Sequence, residues 1–319
     1  MAIQTPRSVF AAIDVGTNAV RLELARPGAD GALETFLKER DAVRPGEGVF
    51  THGVMPRETA DRLVGSLRRY ATLCWRHGAQ VRAVATSAMR EAGNRAEIVQ
   101  RARAETGLEL EIISGQEEAR LICQGVLHRV PARTRSVVMD LGGGSTEVVL
   151  ATGQRPDALW SLPLGAVRLT ELFGTAGEVT PARLRRMRDF VEERLHAAFP
   201  LALESLPPEA WGSSGTIRAV VRFAAGGDCH ATPDQLTRAV ETLAGMSPAE
   251  RSEHFEPRRA EVIVAGALLL ERSLRHLGLE GITAIKRGLR DGLLAELSAA
   301  ARHPAARPGA RFLETLAVG

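Results

Sequence analysis

Residues 137–150 read Val-Val-Met-Asp-Leu-Gly-Gly-Gly-Ser-Thr-Glu-Val-Val-Leu, two apolar runs on either side of a glycine-rich loop. The pattern predicts two strands joined as a hairpin. Because glycine lets the backbone approach an anion closely, the N–H groups of such a loop can surround a phosphate. The candidate phosphate-binding residues of this loop are Gly142, Gly143, Gly144 and Ser145.

Carboxylates stand at both ends of this loop. Asp140 ends the first apolar run and Glu147 begins the second. Carboxylate oxygens are the ligands that a hard cation such as Mg²⁺ prefers. We therefore expect Asp140 and Glu147 to bind Mg²⁺ beside the phosphate.

A near-copy of the loop stands at residues 11–22, which read Ala-Ala-Ile-Asp-Val-Gly-Thr-Asn-Ala-Val-Arg-Leu. One glycine-rich hairpin could be only a tight turn. Two with the same strand–Asp–Gly–hydroxyl–strand order indicate a duplicated domain that holds phosphate from both sides. The candidate binding residues of the first copy are Gly16, Thr17 and Asn18, with Asp14 before the loop and Arg21 after it.

The bulk composition is that of an ordinary globular protein. At 319 residues, with 45% hydrophobic and 25% charged residues, the chain is long enough for two domains. It shows no apolar run long enough to span a bilayer and no signal-peptide pattern. Its three scattered cysteines suit a reducing compartment. We therefore expect a cytoplasmic protein with no membrane partner.

Arginine carries almost all the positive charge, since Lys38 and Lys286 are the only lysines. A genome that favours arginine codons explains this bias, but the planar guanidinium also suits phosphate recognition. The chain has one tyrosine and no basic run with interleaved aromatic residues. It therefore lacks a base-stacking platform, and we expect no nucleic-acid partner.

Strand and helix signals alternate along the chain, which predicts an α/β fold with a largely parallel or mixed sheet. We predict an N-terminal domain over 1–124, a C-terminal domain over 125–303 and a loosely held tail over 304–319. The Thr180-Pro181 pair predicts a helix start, and residues 259–277 read as the most apolar helix.

Adjacent glutamates at 117 and 118 follow a predicted helix start at Ser114. Glu117 stands where it would complete a capping box with Ser114, a structural role. Glu118 has no such role, and one residue further along a helix its side chain points about 100° away. If one of the two activates a water molecule, the sequence favours Glu118.

Two further segments carry polar residues whose role the sequence leaves open. Arg90 follows a short strand and two hydroxyl residues, where open α/β sheets bind ligands, but it could equally pair with Glu91 or Glu97 on a helix surface. Gly215 and Thr216 lie in a third glycine-rich turn, Gly-Ser-Ser-Gly-Thr, which taken alone is a weak signal.

Several common reaction types are excluded by the absence of their motifs. The eight histidines form no HExxH motif and no close cluster. There is no Gly-x-Ser-x-Gly elbow and no P-loop.

Together these segments resemble the exopolyphosphatase/guanosine pentaphosphatase (Ppx/GppA) family in its short, two-domain form. The resemblance extends from about residue 9 to about 297, and the motifs occur in the family's order. They are Ala-Ile-Asp-Val-Gly-Thr-Asn (12–18), Ala-Thr-Ser-Ala-Met-Arg-Glu-Ala-Gly-Asn (85–94), Ile-Ser-Gly-Gln-Glu-Glu-Ala-Arg-Leu (113–121), Asp-Leu-Gly-Gly-Gly-Ser-Thr-Glu (140–147), Gly-Ser-Ser-Gly-Thr (212–216) and Gly-Leu-Arg-Asp-Gly (288–292).

The resemblance implies two ribonuclease-H-like domains of the actin and sugar-kinase superfamily, with the substrate in the cleft between them. It implies Mg²⁺-dependent hydrolysis of the terminal phosphoanhydride of polyphosphate. It places the general base on Glu118, magnesium ligands on Asp140 and Glu147 with Asp14 nearby, and a phosphate-binding arginine on Arg90. Arg21 stands where members differ and is a candidate for setting the substrate.

Alternative functions remain open at this stage. The substrate could be guanosine pentaphosphate (pppGpp) rather than polyphosphate. A kinase or ATPase of the same superfamily would use the same paired loops, and a non-catalytic sensor of guanosine phosphates would need no base. The oligomeric state is also open, a homodimer being one option.

Overall fold

The computed structural model describes residues 8–302, apart from residues 30, 129, 200–205 and 208. The tail predicted over 304–319 lies outside these described residues. None of the described helices is both long and apolar enough to cross a lipid bilayer.

A first sheet of five strands is built from the N-terminal part of the chain. Its strands are β1 (Val9–Val15), β2 (Val20–Pro27), β3 (Leu33–Asp41), β4 (Ala79–Ala85) and β5 (Leu110–Ile112). They lie in the order β3-β2-β1-β4-β5. Strands β1, β2 and β3 are antiparallel neighbours, whereas β4 runs parallel to both β1 and β5.

A second sheet of six strands follows. Its strands are β6 (Arg135–Leu141), β7 (Thr146–Thr152), β8 (Arg155–Leu162), β9 (Glu209–Ser213), β10 (His230–Ala231) and β11 (Gly281–Ala284). They lie in the order β10-β11-β9-β6-β7-β8. Strands β6, β7 and β8 are antiparallel neighbours, and β9 is parallel to β6 and β11.

Without its edge strand β10, the second sheet repeats the order and strand directions of the first. The chain therefore has an α/β fold of two similar units, as the duplicated hairpin predicted, and the units are ribonuclease-H-like, as the family resemblance implied. We call them the first unit (β1–β5) and the second unit (β6–β11), each with the helices that lie between or directly after its strands in the chain.

The two central hairpins close with the same turn. Gly16 N donates to Ala19 O at 3.1 Å, and Gly142 N donates to Ser145 O at 2.9 Å. Both loops therefore leave and re-enter the sheet in the same way, and both stand at the end of the central strand of their unit.

The strand register next to these turns differs in chemistry between the two copies. Asp14 is paired with Arg21 across β1–β2, and Asp140 is paired with Glu147 across β6–β7. The first hairpin therefore carries an arginine where the second carries a carboxylate, so the two copies cannot have the same role.

Five helices accompany the first sheet: α1 (Val49–His52), α2 (Arg57–Arg76), α3 (Ser87–Glu91), α4 (Arg95–Thr106) and α5 (Gly115–Val126). The buried face of α2 includes Leu63, Leu67 and Tyr70, which belong to the apolar core of the first unit. Tyr70 also donates from its hydroxyl to Val20 O at 3.2 Å, which anchors α2 to β2.

The second unit contains the remaining described helices: α6 (Ala166–Phe173), α7 (Pro181–Ala198), α8 (Gly215–Ala224), α9 (Pro233–Gly245), α10 (Pro248–His254), α11 (Pro257–Ala260), α12 (Ile263–His276) and α13 (Leu289–Arg302). Thr180 accepts from Arg183 N and Pro181 begins α7, as predicted. The helix predicted over 259–277 is instead two helices, α11 and α12. The chain leaves the α-helical pattern between them, where Val262 N bonds to Arg259 O with the shorter i→i−3 spacing.

Helices α5 and α13 pack together between the two sheets. Helix α13 contacts β1 and β4 of the first sheet, and α5 contacts β6, β7 and β8 of the second. A separate apolar cluster, including Phe10, Ile122, Val138 and Leu293, continues through this layer from one sheet to the other. The two units are therefore joined by a common core.

Two glycines allow α5 and α13 to touch backbone to backbone. A Cβ atom at Gly125 would lie 2.2 Å from Gly288 O, and one at Gly292 would lie 2.1 Å from Leu121 O. Both distances are well inside van der Waals contact. No residue with a side chain fits at either position unless the helices separate.

We expect Gly125→Ala to lower the free energy of unfolding by about 1–3 kcal/mol, because the added methyl group forces the helices apart. Gly65→Ala is the matched control, since a Cβ atom at Gly65 in the interior of α2 would meet nothing within 4 Å. In that variant the free energy of unfolding should rise by about 0.5–1 kcal/mol, because alanine has a better helix propensity than glycine. Urea unfolding followed by circular dichroism measures both. An unfolding midpoint for Gly125→Ala at or above that of the wild type would contradict the prediction.

Candidate functional site

The loops of the two hairpins meet at the cleft between the units. A Cβ atom at Gly143 would lie 2.8 Å from Thr17 Cβ, and one at Gly144 would lie 2.9 Å from Thr17 Oγ1 and 2.5 Å from Ser87 Oγ. The glycines are therefore needed for this close approach. The structure brings the two predicted phosphate loops together.

Backbone bonds satisfy the carbonyls of the first loop. Thr17 O accepts from Gly46 N at 2.8 Å, and Asn18 O accepts from Arg44 N at 3.3 Å. Arg44 adopts a left-handed conformation, with φ of 60°, to make this connection. These two bonds thus fix the first loop to the segment 44–46.

The first turn of α6 does the same for the second loop. Gly142 O accepts from Ala166 N at 3.0 Å, and Gly143 O accepts from Val167 N at 2.8 Å. Within the described chain, the N–H groups of Gly143 and Gly144 find no acceptor. They remain available for an anion, in the manner of a backbone nest.

Glu118 lies buried beside Arg90. Its Oε2 accepts from Arg90 Nη1 at 2.7 Å, and the same guanidinium donates to Ile113 O at 3.2 Å and to Ser145 Oγ at 3.4 Å. Only 8% of Glu118 is exposed. Arg90 therefore connects the predicted base to the second phosphate loop, rather than pairing with Glu91 or Glu97.

The side chain of Glu117 has different partners from that of Glu118. Its backbone N–H is capped by Ser114 Oγ at 3.1 Å, as predicted, but its carboxylate pairs with Arg120 and Arg82. The reciprocal half of the capping box is therefore not formed. Two arginines outcompete the single N–H at the helix start, because charge-assisted bonds are the stronger ones.

The two carboxylates of the second hairpin differ in their partners. Glu147 is 1% exposed and accepts from Ser161 Oγ at 2.8 Å. Asp140 Oδ1 is buried and has no hydrogen-bond partner in the described part of the chain. An unpartnered buried carboxylate oxygen is costly unless a ligand uses it.

Asp14 is already paired with arginine. Its Oδ2 lies 3.4 Å from Arg21 Nη1 and 3.2 Å from Arg290 Nη1. Arg290 also donates to Glu23 Oε1 at 2.9 Å. These two guanidiniums already neutralise Asp14, which is thus less suited to bind a metal than Asp140.

The electrostatics of the site are those of crowded, desolvated carboxylates. Burial raises the pKa of Glu118 to about 7, against the opposing effect of Arg90. Burial, and then the charge of Asp14, raise the pKa of Asp140 to about 6. Burial, followed by repulsion from Glu118 and Asp140, raises the pKa of Glu147 well above its ordinary value.

These features fit a divalent cation at Asp140 and Glu147. A cation would occupy the unpartnered oxygen of Asp140 and relieve the repulsion between the carboxylates. Among the described residues, no three His, Cys, Asp or Glu side chains gather closely enough to hold a metal alone. Mg²⁺ commonly binds to one or two carboxylates and completes its ligands with phosphate oxygens and water, so two carboxylates suffice.

An arginine cluster next to the cleft was not found by sequence reasoning. Burial first, and then repulsion from Arg40 and Arg21, lower the pKa of Arg259, and Arg218 acts in the same direction. Burial also lowers the pKa of Arg21. Positive charges thus lie close together at the edge of the cleft, with Arg40 exposed and paired with Glu256 at 3.6 Å, an arrangement that a polyanion would stabilise.

The predicted residues Gly215 and Thr216 border this cluster. Gly215 O accepts from Arg259 Nη1. A Cβ atom at Gly266 of α12 would lie 2.4 Å from Thr216 Cγ2, so the threonine methyl packs on that helix. This turn supports the arginine cluster through its backbone, whereas the hydrophobic part of Thr216 is used for packing.

Comparison with known proteins places the chain in a defined group. A sequence model described as the Ppx/GppA phosphatase family matches residues 26–300. Exopolyphosphatase 1 of Mycobacterium leprae is 31% identical over 295 residues, 88% of this chain and 87% of that protein. The Aquifex aeolicus Ppx/GppA family member has a TM-score of 0.77 at 28% identity, covering 93% of this chain and 100% of that chain. An exopolyphosphatase from Cytophaga hutchinsonii has a TM-score of 0.83 at 25% identity, covering 92% and 98%.

The raised pKa values predict that the metal-free protein loses stability as the pH rises. A carboxyl whose pKa is raised by folding contributes stability below its ordinary pKa, and this stability is lost as the pH rises through the folded value, about 6 for Asp140. In EDTA, the free energy of unfolding should therefore fall between pH 5 and pH 8. Asp140→Asn should be more stable than the wild type at pH 8 by about 1–3 kcal/mol.

Glu250→Gln provides the control of opposite sign, because bonds to Ser247 lower the pKa of Glu250. At pH 8 the free energy of unfolding of Glu250→Gln should not exceed that of the wild type. Magnesium should stabilise the wild type at pH 8 more than it stabilises Asp140→Asn. If the free energy of unfolding depends on pH equally in the wild type and in Asp140→Asn, burial of Asp140 is not the cause of the loss of stability.

Proposed function

Because the chain belongs to the Ppx/GppA phosphatase family and is a hydrolase, we propose that it is an exopolyphosphatase. It hydrolyses the terminal phosphoanhydride of inorganic polyphosphate and releases orthophosphate. The observation that carries this proposal is the buried Glu118 at the meeting point of two phosphate-binding loops, bonded to Arg90.

Glu118 acts as the general base. A raised pKa of about 7 suits this role, since a base works best when its pKa lies near the working pH. The carboxylate takes a proton from a water molecule, whose oxygen attacks the terminal phosphorus in line with the bridging oxygen. The bond between the terminal phosphorus and the bridging oxygen breaks. The products are orthophosphate and a polyphosphate shorter by one unit.

The loops and Arg90 hold the reacting phosphate. The free N–H groups of Gly143 and Gly144 and the guanidinium of Arg90 would donate to the phosphate oxygens, where charge develops during the reaction. Such donors cost no reorganisation during the reaction, because the protein has already fixed them. Asp140 and Glu147 would hold Mg²⁺, which neutralises phosphate charge when bound.

The arginine cluster provides a binding surface for the rest of the polyphosphate molecule. Linear polyphosphate carries a negative charge on every unit, and the cluster of Arg21, Arg40, Arg218 and Arg259 is its electrostatic complement. We propose that the phosphates behind the reacting unit lie along these residues. Guanosine pentaphosphate would offer fewer charges in a row and is the alternative substrate.

Orthophosphate release from four compounds tests the proposed function. Purified protein with magnesium is supplied in parallel with short-chain polyphosphate, long-chain polyphosphate, pppGpp and ATP. We expect release from polyphosphate, reduced about 10²–10⁴-fold in Glu118→Gln. Glu117→Gln is the matched control and should keep its activity, since that carboxylate pairs with Arg120 and Arg82.

Release from pppGpp alone would make the protein a pentaphosphatase. Phosphoryl transfer from ATP to a small acceptor would make it a kinase. Binding of guanosine phosphates without any release would support a sensor. Full activity of Glu118→Gln on polyphosphate would contradict the assignment of the base.

A second prediction concerns the pH profile. Glu118 must be ionised to take a proton, so kcat/KM should fall about tenfold per pH unit below pH 7. Arg90 opposes the upward shift of this pKa, so Arg90→Gln should move the midpoint to higher pH. Initial rates measured from pH 5 to pH 9 give both midpoints. A wild-type midpoint in the ordinary carboxylic range would argue against Glu118 as the titrating base.

A further inference from the structure

One side chain connects the second phosphate loop to the opposite unit. Arg168 stands in the first turn of α6, directly after Ala166 and Val167, and its own backbone N–H also donates to Gly143 O at 3.0 Å. Its Nε donates to Gly144 O at 2.8 Å. The carbonyls of Gly142, Gly143 and Gly144 are thus all bonded to α6, the last of them by a side chain rather than by the backbone.

The rest of the Arg168 guanidinium crosses the cleft. Its Nη1 donates to Glu91 Oε2 at 3.0 Å, its Nη2 bonds to Glu91 Oε1, and its Cζ lies 4.1 Å from the centre of the Phe50 ring. Glu91 and Phe50 both belong to the first unit. With 11% of its side chain exposed, Arg168 is nearly enclosed by these partners.

Glu91 is the neighbour of Arg90 on the short helix α3. Helix α3 therefore contacts Arg168 through Glu91. Through Arg90 it contacts Glu118 and Ser145. A second bond across the same gap runs from Gly48 N to Glu171 Oε1 at 3.3 Å, again between the first unit and α6. Helix α6 is thus fastened to the first unit at two points.

We propose that Arg168 is a positioning residue that orients the second phosphate loop and couples it to the contact between the two units. This proposal rests on the proposed function, since it assigns a task to the same anion site. By holding Gly144 O, Arg168 fixes the peptide plane between Gly144 and Ser145, so that the Ser145 N–H points the opposite way. By pairing with Glu91, it does so only while α3, and with it Arg90, is in place.

Arginine is required for geometric reasons. The side chain bonds a carbonyl through Nε, a carboxylate through its two Nη atoms, and an aromatic ring through its face. A guanidinium presents these three directions at once from a rigid plane, whereas an ammonium is a single point of charge. Lysine can replace the ion pair or the carbonyl bond, but not both.

Binding of tripolyphosphate, measured by calorimetry with magnesium in a Glu118→Gln background, separates this role from catalysis. We expect Arg168→Lys to weaken binding about tenfold, the loss of one charge-assisted bond. Arg183→Lys is the matched control. Arg183 also donates to backbone carbonyls, Gly174 O at 3.0 Å and Glu178 O at 2.8 Å, near the far end of α6. It should leave the affinity unchanged.

The Glu91→Gln variant completes the test. It leaves the bond from Nε to Gly144 O intact, so it should weaken binding less than Arg168→Lys, and the double variant should be no weaker than Arg168→Lys alone. A misfolded fraction would lower the binding stoichiometry and not the affinity, which distinguishes positioning from a loss of stability. Thermal unfolding of each variant serves as the accompanying control.

Unchanged affinity in Arg168→Lys, or a loss of stoichiometry alone, would overturn the positioning role and leave the proposed function standing. Fully additive losses in the double variant would also overturn it, because Glu91 would then not act through Arg168. If the Glu118→Gln parent fails to bind tripolyphosphate at all, the proposed function fails first, and the positioning role fails with it.

Discussion

The structure depends on keeping several carboxylates buried and close together at the junction of its two units. Asp140, Glu147 and Glu118 repel one another and are shielded from water, so each has a raised pKa. Such an arrangement lowers the stability of a fold unless other charges compensate it. Arg90 compensates Glu118 in part, and the open oxygen of Asp140 leaves room for a cation. The site is therefore strained in a way that its ligands relieve.

The duplicated hairpin shows how one backbone device serves two purposes. Both copies use the same glycine turn, but the position across from the aspartate is Arg21 in one and Glu147 in the other. In the first copy Asp14 is neutralised within the protein, and one of its two partners, Arg21, belongs to the arginine cluster. In the second copy both residues are carboxylates. Under the proposed function, this asymmetry places phosphate binding at the first copy and the metal at the second.

The sequence predicted those parts of the fold and the site that depend on local pattern. The paired hairpins follow from two glycine loops between apolar runs, and helical periodicity separates Glu118 from Glu117. The pairing of Ser161 with Glu147 was missed, although the register of the β7–β8 hairpin contains it. Contacts between distant segments have no local signal. Arg259 beside Arg21 and Arg168 with Glu91 depend on how the two units dock, whereas Arg90 with Glu118 depends on how α3 lies against α5. Only the reciprocal half of the capping box at Glu117 was wrong, because that carboxylate pairs with Arg120 three residues along the same helix and with Arg82 of β4.

The crossing of α5 and α13 at Gly125 and Gly292 also bears on how the protein can change over evolutionary time. A contact made by backbone atoms has no rotamers and no side-chain volume, so substitutions in the surrounding apolar layer hardly alter it. Glu118 lies on α5 about two turns from this crossing, and Arg290 lies on α13 close to it. The spacing between these two residues is thus set by the crossing rather than by the particular leucines and valines nearby. The core can drift in sequence while the site keeps its dimensions.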